Sequence, residues 1–261
     1  MRISEIFKSI QGEGIHAGIP MTFIRFQGCP WDCWWCDSRY TWDKAGGYVI
    51  SPKEAAARAA FPLEESWVVL TGGEPLAQPE AFSELVELLD IQGNQIEVFT
   101  SGLNPAPPTI IFDKVDSWIV DIKCPSAKLT YGRHLFDLSL LRSQDSAKFV
   151  VMDERDLEFV VSSVEGLSTY LDNSPNILIS PWMEFKANYE HNYIDSEVRM
   201  STQIVKVEST PLEWRRQMLL REHLRGSSSE WCQRVAEFCL EHGFRLSLQQ
   251  HKFVWGDVRG K

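Results

Sequence analysis

The chain is short of basic residues, of long apolar runs and of evenly spread cysteines, and each shortage narrows what it does. Against 36 Asp and Glu there are only 26 Lys and Arg in 261 residues, a formal charge of −10. That balance argues against a sequence-independent grip on nucleic-acid phosphates. Apolar stretches such as Trp67 to Leu70 and Trp118 to Val120 fall far below the roughly 20 residues a membrane-spanning helix needs. The opening MRISEIFKSIQGEG carries Glu5 and Lys8 where an export leader needs an apolar core, so cytoplasmic residence is expected. Hydrophobic residues at 44% and charged residues at 24% are ordinary for a chain that packs a core. The length fits one domain spanning residues 1–261.

The cysteines lie at 29, 33, 36, 124, 232 and 239. A disulfide framework would spread them out, whereas half of these crowd into the cluster Cys29, Cys33, Cys36. Such crowding in a reducing compartment points to a metal centre. Cys232 and Cys239 fall on one face of a predicted helix and are expected to pack as small apolar residues. Cys124 is expected near a strand end, as a packed thiol or a cofactor contact.

Short β-branched and aromatic runs predict strands at Met21 to Phe26, Trp67 to Thr71, Ile96 to Thr100, Trp118 to Ile122, Ala147 to Val151, Ile177 to Ser180 and Phe244 to Leu248. Helical spacing predicts helices at Pro52 to Ala60, Pro79 to Leu89, Arg155 to Leu171, Leu212 to Leu224 and Ser228 to His242. Alternating strands and helices favour βαβ units and a parallel sheet. Periodicity leaves open whether that sheet is doubly wound or curls into a full or partial barrel. TGGEP, TSG and DIKCPS each close a predicted strand, so they should share the rim where such sheets bind ligands. The charged stretch from about 186 to 226 breaks the rhythm and reads as an insertion.

GCPWDCWWCD sets the cluster as C-x3-C-x2-C in the loop after the strand at Met21 to Phe26. Structural zinc is closed and four-coordinate, and this loop offers no second cysteine clip, though His16 or a distant histidine remains a possible fourth ligand. A cubane iron–sulfur cluster held by three thiolates instead leaves one iron open to a small ligand. The neighbouring Trp31, Trp34, Trp35 and Tyr40 would shield such a cluster from water or simply pack.

This cysteine motif, with Gly72, Gly73, Glu74 and Pro75 after the next strand, resembles the radical S-adenosylmethionine superfamily. The resemblance implies a partial (β/α)6-type parallel barrel, a [4Fe-4S] cluster on Cys29, Cys33 and Cys36, and S-adenosylmethionine on the open iron. It further implies cofactor contacts from Trp35, Cys36, Asp37, Gly73, Glu74, Asp121 and Lys123. The cofactor yields a deoxyadenosyl radical in that superfamily.

FKSIQGEG, FIRFQGCPWDCWWCD, TGGEP, DIKCPS and HKFVWG occur in that order, and together they resemble the 7-carboxy-7-deazaguanine synthase family. That family converts 6-carboxy-5,6,7,8-tetrahydropterin to 7-carboxy-7-deazaguanine with loss of ammonia, a lyase step toward queuosine. The resemblance implies substrate contacts from Ile10, Gln11, Gly12, Glu13, Arg25 and Thr71. It also implies a magnesium ion, with Ser38 standing where the family often has threonine, and a homodimer. A reducing partner such as flavodoxin or ferredoxin is implied as well. Each residue has a plainer reading: Arg25 as a surface ion pair, residues 11–14 as a turn, Thr71 as a strand terminus, Asp37 or Ser38 as a helix cap. Two other functions stay open, a glycyl-radical enzyme activase and a non-catalytic zinc or iron–sulfur module. The tail after Gly256, with Arg259 and Lys261, either folds toward the site or is loose.

Overall fold

The computed structural model describes residues 1–59, 66–129, 134–168, 175–182, 197–200, 203–206 and 228–255. Its frame is a nine-stranded sheet. In chain order the strands are β1 (Arg2–Ile10), β2 (Pro20–Phe26), β3 (Tyr48–Val49), β4 (Trp67–Gly72), β5 (Gln95–Thr100), β6 (Ser117–Asp121), β7 (Ser146–Val151), β8 (Asn176–Pro181) and, later, β11 (Arg245–Leu246). Their spatial order is β11-β8-β7-β6-β5-β4-β2-β1-β3. From β2 to β11 every neighbouring pair is parallel, while β1 pairs antiparallel with both β2 and β3. The parallel sheet with covering helices is the partial barrel that the resemblance implies. A separate hairpin of β9 (Glu197–Met200) and β10 (Gln203–Lys206) falls within the expected insertion. The rest of that insertion, the predicted helix at Leu212 to Leu224 and the tail with Arg259 and Lys261 lie outside the described residues.

One correction concerns the start of the chain. The strand at Met21 to Phe26 is the second, not the first, because Arg2–Ile10 already forms a strand in register with it, Glu5 opposite Arg25 and Phe7 opposite Phe23. The cysteine loop therefore follows β2.

Strand alternation separates the two faces of the sheet. On the outer face Ile24, Phe26, Val68, Leu70, Ile96, Val98, Trp118, Val120, Ala147 and Phe149 belong to the buried core. Helices α1 (Pro52–Ala59), α2 (Pro79–Ile91) and α4 (Glu154–Ser168) follow β-strands and cover that face, with the short α3 (Thr109–Phe112) between them. In α2 the buried residues are Phe82, Leu85, Val86 and Leu89, the i, i+3, i+4, i+7 stripe of an amphipathic helix. Each such side chain contributes about 1.5–3 kcal/mol on burial. Trp118 stacks on Phe112 at 5.1 Å between ring centroids and donates its Nε1 hydrogen to the Phe112 carbonyl at 3.2 Å. Helix α5 (Ser228–His242) buries Val235, Phe238 and Cys239, and α6 (Gln250–Trp255) ends the described chain.

The inner face is different. Arg25, Thr71, Phe99, Asp121, Lys148 and Ser180, from six neighbouring strands, all point into one cavity at the carboxyl ends of those strands. The parallel register places Arg25 directly opposite Thr71. Polar residues that would be misplaced in a core thus form the wall of a site.

Candidate active site

The cavity measures about 250 Å³. One wall is the cysteine loop, from which Cys29, Trp31, Cys33, Trp35, Cys36, Asp37 and Ser38 face inward. The loop is fastened by Trp34, whose indole hydrogen goes to the Ser126 carbonyl and whose backbone N–H goes to the Ala127 carbonyl at 3.2 Å. Trp34 is buried and stacks on Trp182, so it is a packing residue, whereas Trp31 and Trp35 line the cavity.

The glycine turn after β4 is joined to this loop by main chain. Gly73 N–H donates to the Phe26 carbonyl at 2.9 Å and Glu74 N–H to the Gly28 carbonyl at 3.0 Å. Gly72 has φ +117°, and a Cβ on Gly73 would overlap the Gly28 carbonyl oxygen. Only glycine allows that approach. Glu74 does not line the cavity, unlike the other residues for which cofactor contacts are expected. Its buried carboxylate accepts hydrogen bonds from Leu76 N–H (3.0 Å), Thr100 Oγ1 (2.8 Å), Ser101 N–H (2.8 Å) and Ser101 Oγ, which ties the ends of β4 and β5 together.

Burial pushes the Cys29 and Cys36 thiols up to about 12, and raises Cys33 as well. Three sulfur donors so desolvated become thiolates only beside a strongly cationic partner, which is what an iron cluster provides. Two buried polar atoms in the same wall, Trp35 Nε1 and Asp121 Oδ1, have no hydrogen-bond partner in the protein. Unpaired atoms of this kind cost free energy unless a ligand satisfies them. Among the described residues no three His, Cys, Asp or Glu side chains converge on a point as a single metal ion requires. His16 is not at the cysteines; its Nδ1 lies 2.6 Å from Glu97 Oε2. The donor set thus suits a cluster with an added small ligand better than one zinc ion.

The opposite wall is the segment Ile10, Gln11, Gly12 and Glu13 with the C-terminal residues Gln249, His251 and Lys252. Each cation there has a carboxylate partner. Lys148 pairs with Glu13, Lys252 Nζ lies 3.2 Å from Asp37, and Lys123 Nζ lies 2.6 Å from Asp121. Gln249 bridges Glu13 (3.0 Å) and Asp37 (3.1 Å). Burial alone would raise Glu13, but Lys148 and His251 outweigh it and hold the carboxyl below its ordinary value. For Asp37 burial is likewise outweighed, by Lys252 and Arg25, and its carboxyl is strongly lowered. Burial opposes the charge on Lys123 too, yet Asp121 keeps that ammonium raised.

Arg25 is not a surface ion pair. Its Nε donates to Glu5 Oε1 at 2.9 Å, Tyr40 OH donates to the same oxygen at 3.0 Å, and the guanidinium lies over the rings of Phe7 and Tyr40. Ser38 occupies the cap position of the short 3₁₀ turn Arg39–Thr41 without capping it, and its Oγ donates to Asp37 Oδ1 at 3.1 Å. Cys124 is buried outside the cavity, with Sγ near the Ile122 carbonyl. Cys239 is buried in the core. Sequence reasoning passed over Lys148, Gln249 and Lys252. A lysine inside the apolar run Ala147 to Val151 was a usable signal, because a buried lysine needs a partner.

The Radical SAM superfamily pattern matches residues 23–117, which span the cysteine loop and the glycine turn. The 7-carboxy-7-deazaguanine synthase of Thermoplasma acidophilum is 39% identical over 173 residues, 64% of this chain and 80% of that protein. The synthase of Pyrobaculum aerophilum is 30% identical over 100% of this chain and 97% of its own. The crystal structure of QueE from Escherichia coli superposes with a TM-score of 0.58 at 23% identity, covering 96% of this chain and 94% of that one, a likeness of fold. With the expected donor set gathered in one cavity and identity running end to end, the chain belongs to the 7-carboxy-7-deazaguanine synthase family of radical S-adenosylmethionine enzymes.

Proposed function

We propose that the chain converts 6-carboxy-5,6,7,8-tetrahydropterin to 7-carboxy-7-deazaguanine with release of ammonia, the step its family contributes to queuosine synthesis. The observation that carries this reading is the union, around one cavity, of three desolvated thiols with a ring of paired cations and carboxylates. Cys29, Cys33 and Cys36 would hold the [4Fe-4S] cluster. S-adenosylmethionine bound beside it would supply the radical chemistry that hydrogen abstraction needs.

The protein's own part is to hold and to exclude water. Gly73 brings main chain to the cofactor's polar end, with Trp35 and Asp121 offering their unsatisfied N–H and oxygen and Lys123 holding Asp121 in place. Arg25, oriented by Glu5 and Tyr40, faces the substrate carboxylate; a guanidinium fork suits that group. Ile10, Gln11, Gly12, Glu13 and Thr71 surround the heterocycle. Ser38 Oγ would be the protein's oxygen donor to a Mg²⁺ ion, which favours oxygen ligands. No side chain is assigned as general base.

The chain works as one radical S-adenosylmethionine domain over residues 1–261 with a charged insertion at about 186–226, in the cytoplasm. There a low-potential flavodoxin or ferredoxin would be the reducing partner. Among the described residues no helix is long and apolar enough to cross a membrane. A homodimer is proposed on the general frequency of two-fold pairs. The test is anaerobic turnover, with iron and sulfide counted on the same sample. Product should require S-adenosylmethionine, reductant and the carboxypterin, and an intact cluster without turnover would overturn the assignment.

A further inference from the structure

Beneath the cavity the connection between β1 and β2 folds into the barrel interior, where Gly14 sits against Ile119 and Leu178 of the inner face. One strand row below Phe99 lies Glu97, a fully buried carboxylate for which the mechanism above has no use. Among the described residues its carboxyl group has two side-chain hydrogen-bond partners, both from that connection. Oε1 accepts from Gln11 Nε2, and Oε2 lies 2.6 Å from His16 Nδ1. His16 in turn packs on Trp67 with ring centroids 4.3 Å apart.

Counting donors and acceptors on Gln11 gives the consequence. One Nε2 hydrogen goes to Glu97 and the other is directed at Met21 Sδ at 4.0 Å. Its Oε1 accepts from the Glu13 backbone N–H at 3.2 Å. Both donors are therefore spent, and the amide keeps only a second lone pair on its oxygen. Burial raises the Glu97 carboxyl above its ordinary value, but Oε2 is engaged by His16, so any proton it carries lies there and Oε1 is left as an acceptor. Turning the Gln11 amide over would then set two oxygens against each other and orphan the Glu13 N–H.

We infer that Glu97, held by His16, is a positioning residue that locks the Gln11 amide as an acceptor, so that the site reads an N–H or amino edge of the bound heterocycle and rejects a carbonyl there. The inference rests on the pterin reading for the identity of the heterocycle. The lock itself does not.

The experiment has two arms. In the oxidised-cluster holoprotein, the Gln11 side-chain amide should give a dispersed, exchange-protected pair of ¹⁵N–¹H signals, lost in Glu97→Leu and retained in Glu97→Gln, which keeps an acceptor oxygen. In turnover, Glu97→Leu should raise KM for the carboxypterin about tenfold, the scale of one charge-assisted hydrogen bond. It should release deoxyadenosine without product, while iron content and S-adenosylmethionine affinity stay at the wild-type level. Glu97→Gln should recover to within about threefold. His16→Phe keeps the stack on Trp67 at a partly exposed position and should shift both readouts in the same direction by less, which decides the matter if Glu97→Leu does not fold. Unchanged Gln11 signals, or a KM unmoved in both Glu97→Leu and His16→Phe, would overturn the lock. If the wild type fails to turn over the pterin while the Gln11 signals behave as expected, the substrate assignment falls and the lock stands.

Discussion

The stretch Phe26 to Gly28 that leads into the cysteine loop and the turn at Gly72 to Pro75 meet through main-chain hydrogen bonds from Gly73 and Glu74, whereas the opposite wall, residues 10–14 against 247–252, is held chiefly by side chains. Gln250 N–H to the Gly12 carbonyl, at 2.8 Å, is the backbone bond between those segments. A wall made of main chain demands glycine at particular positions and cysteine at particular spacings, so it is written as a motif. A wall made of side-chain pairs distributes its specification over residues more than 200 positions apart, such as Glu13 and Gln249. The first wall suits a cofactor shared by many enzymes, the second a substrate particular to one.

That contrast can be broken by mutation. On the cofactor wall, Gly73→Ala forces a methyl group into the Gly28 carbonyl, and S-adenosylmethionine cleavage should fall about 100-fold or more, the scale of an ångström misplacement at a reacting centre. Cleavage assayed without pterin reads this directly. On the substrate wall, Gly12→Ala meets the His251 ring and backbone N–H. It should raise KM for the pterin by about tenfold while cleavage of the cofactor alone is preserved. Equal damage to both activities in both variants would erase the distinction between the walls.

Stability sharpens it further. Lys148 is buried, and Lys148→Met leaves Glu13 without its ion pair, so unfolding free energy should drop by about 3 kcal/mol, the cost of orphaning one member of a buried pair. Chemical denaturation of the apoprotein measures this, and a loss below about 1 kcal/mol would place the pair in the class of exposed salt bridges. The smallest effect is in pH. Glu13 has a folded value below the ordinary 4.5, because Lys148 and His251 outweigh its burial. Its pH-dependent contribution is therefore complete above pH 4.5 and fades as pH falls through the lower folded value. The stability difference between wild type and Glu13→Gln should shrink on acidification, and a difference that grows would reverse the sign of the shift.

These walls also explain how much was legible beforehand. Most of the parallel-sheet strands were readable because their outer faces are apolar and rich in β-branched or aromatic residues, as in Trp67 to Leu70 and Ala147 to Val151. β1 escaped because neither of its alternating faces is apolar throughout. Glu5 and Phe7 serve the Arg25 cage and the cavity mouth, while Lys8 is exposed. α6 is only six residues long, and its function lies in Lys252 reaching Asp37, a pairing no local pattern records. Ser38 was expected as a magnesium ligand or a cap, and it does not cap its turn. Gln11 was expected to contact the heterocycle, and most of its hydrogen-bonding capacity is taken by Glu97, Met21 and Glu13. Its partner Glu97 lay in an apolar run and, like Lys148, was a charge that burial obliges to pair.

The central claim is that Cys29, Cys33 and Cys36 hold a cluster with one iron left to the cofactor. The direct measurement is electron paramagnetic resonance of the reduced, reconstituted holoenzyme before and after S-adenosylmethionine is added. A reduced-cluster signal whose g-values shift on addition is the predicted result. A spectrum that does not change with saturating cofactor, or a protein that reconstitutes with one zinc and no iron, would contradict the account.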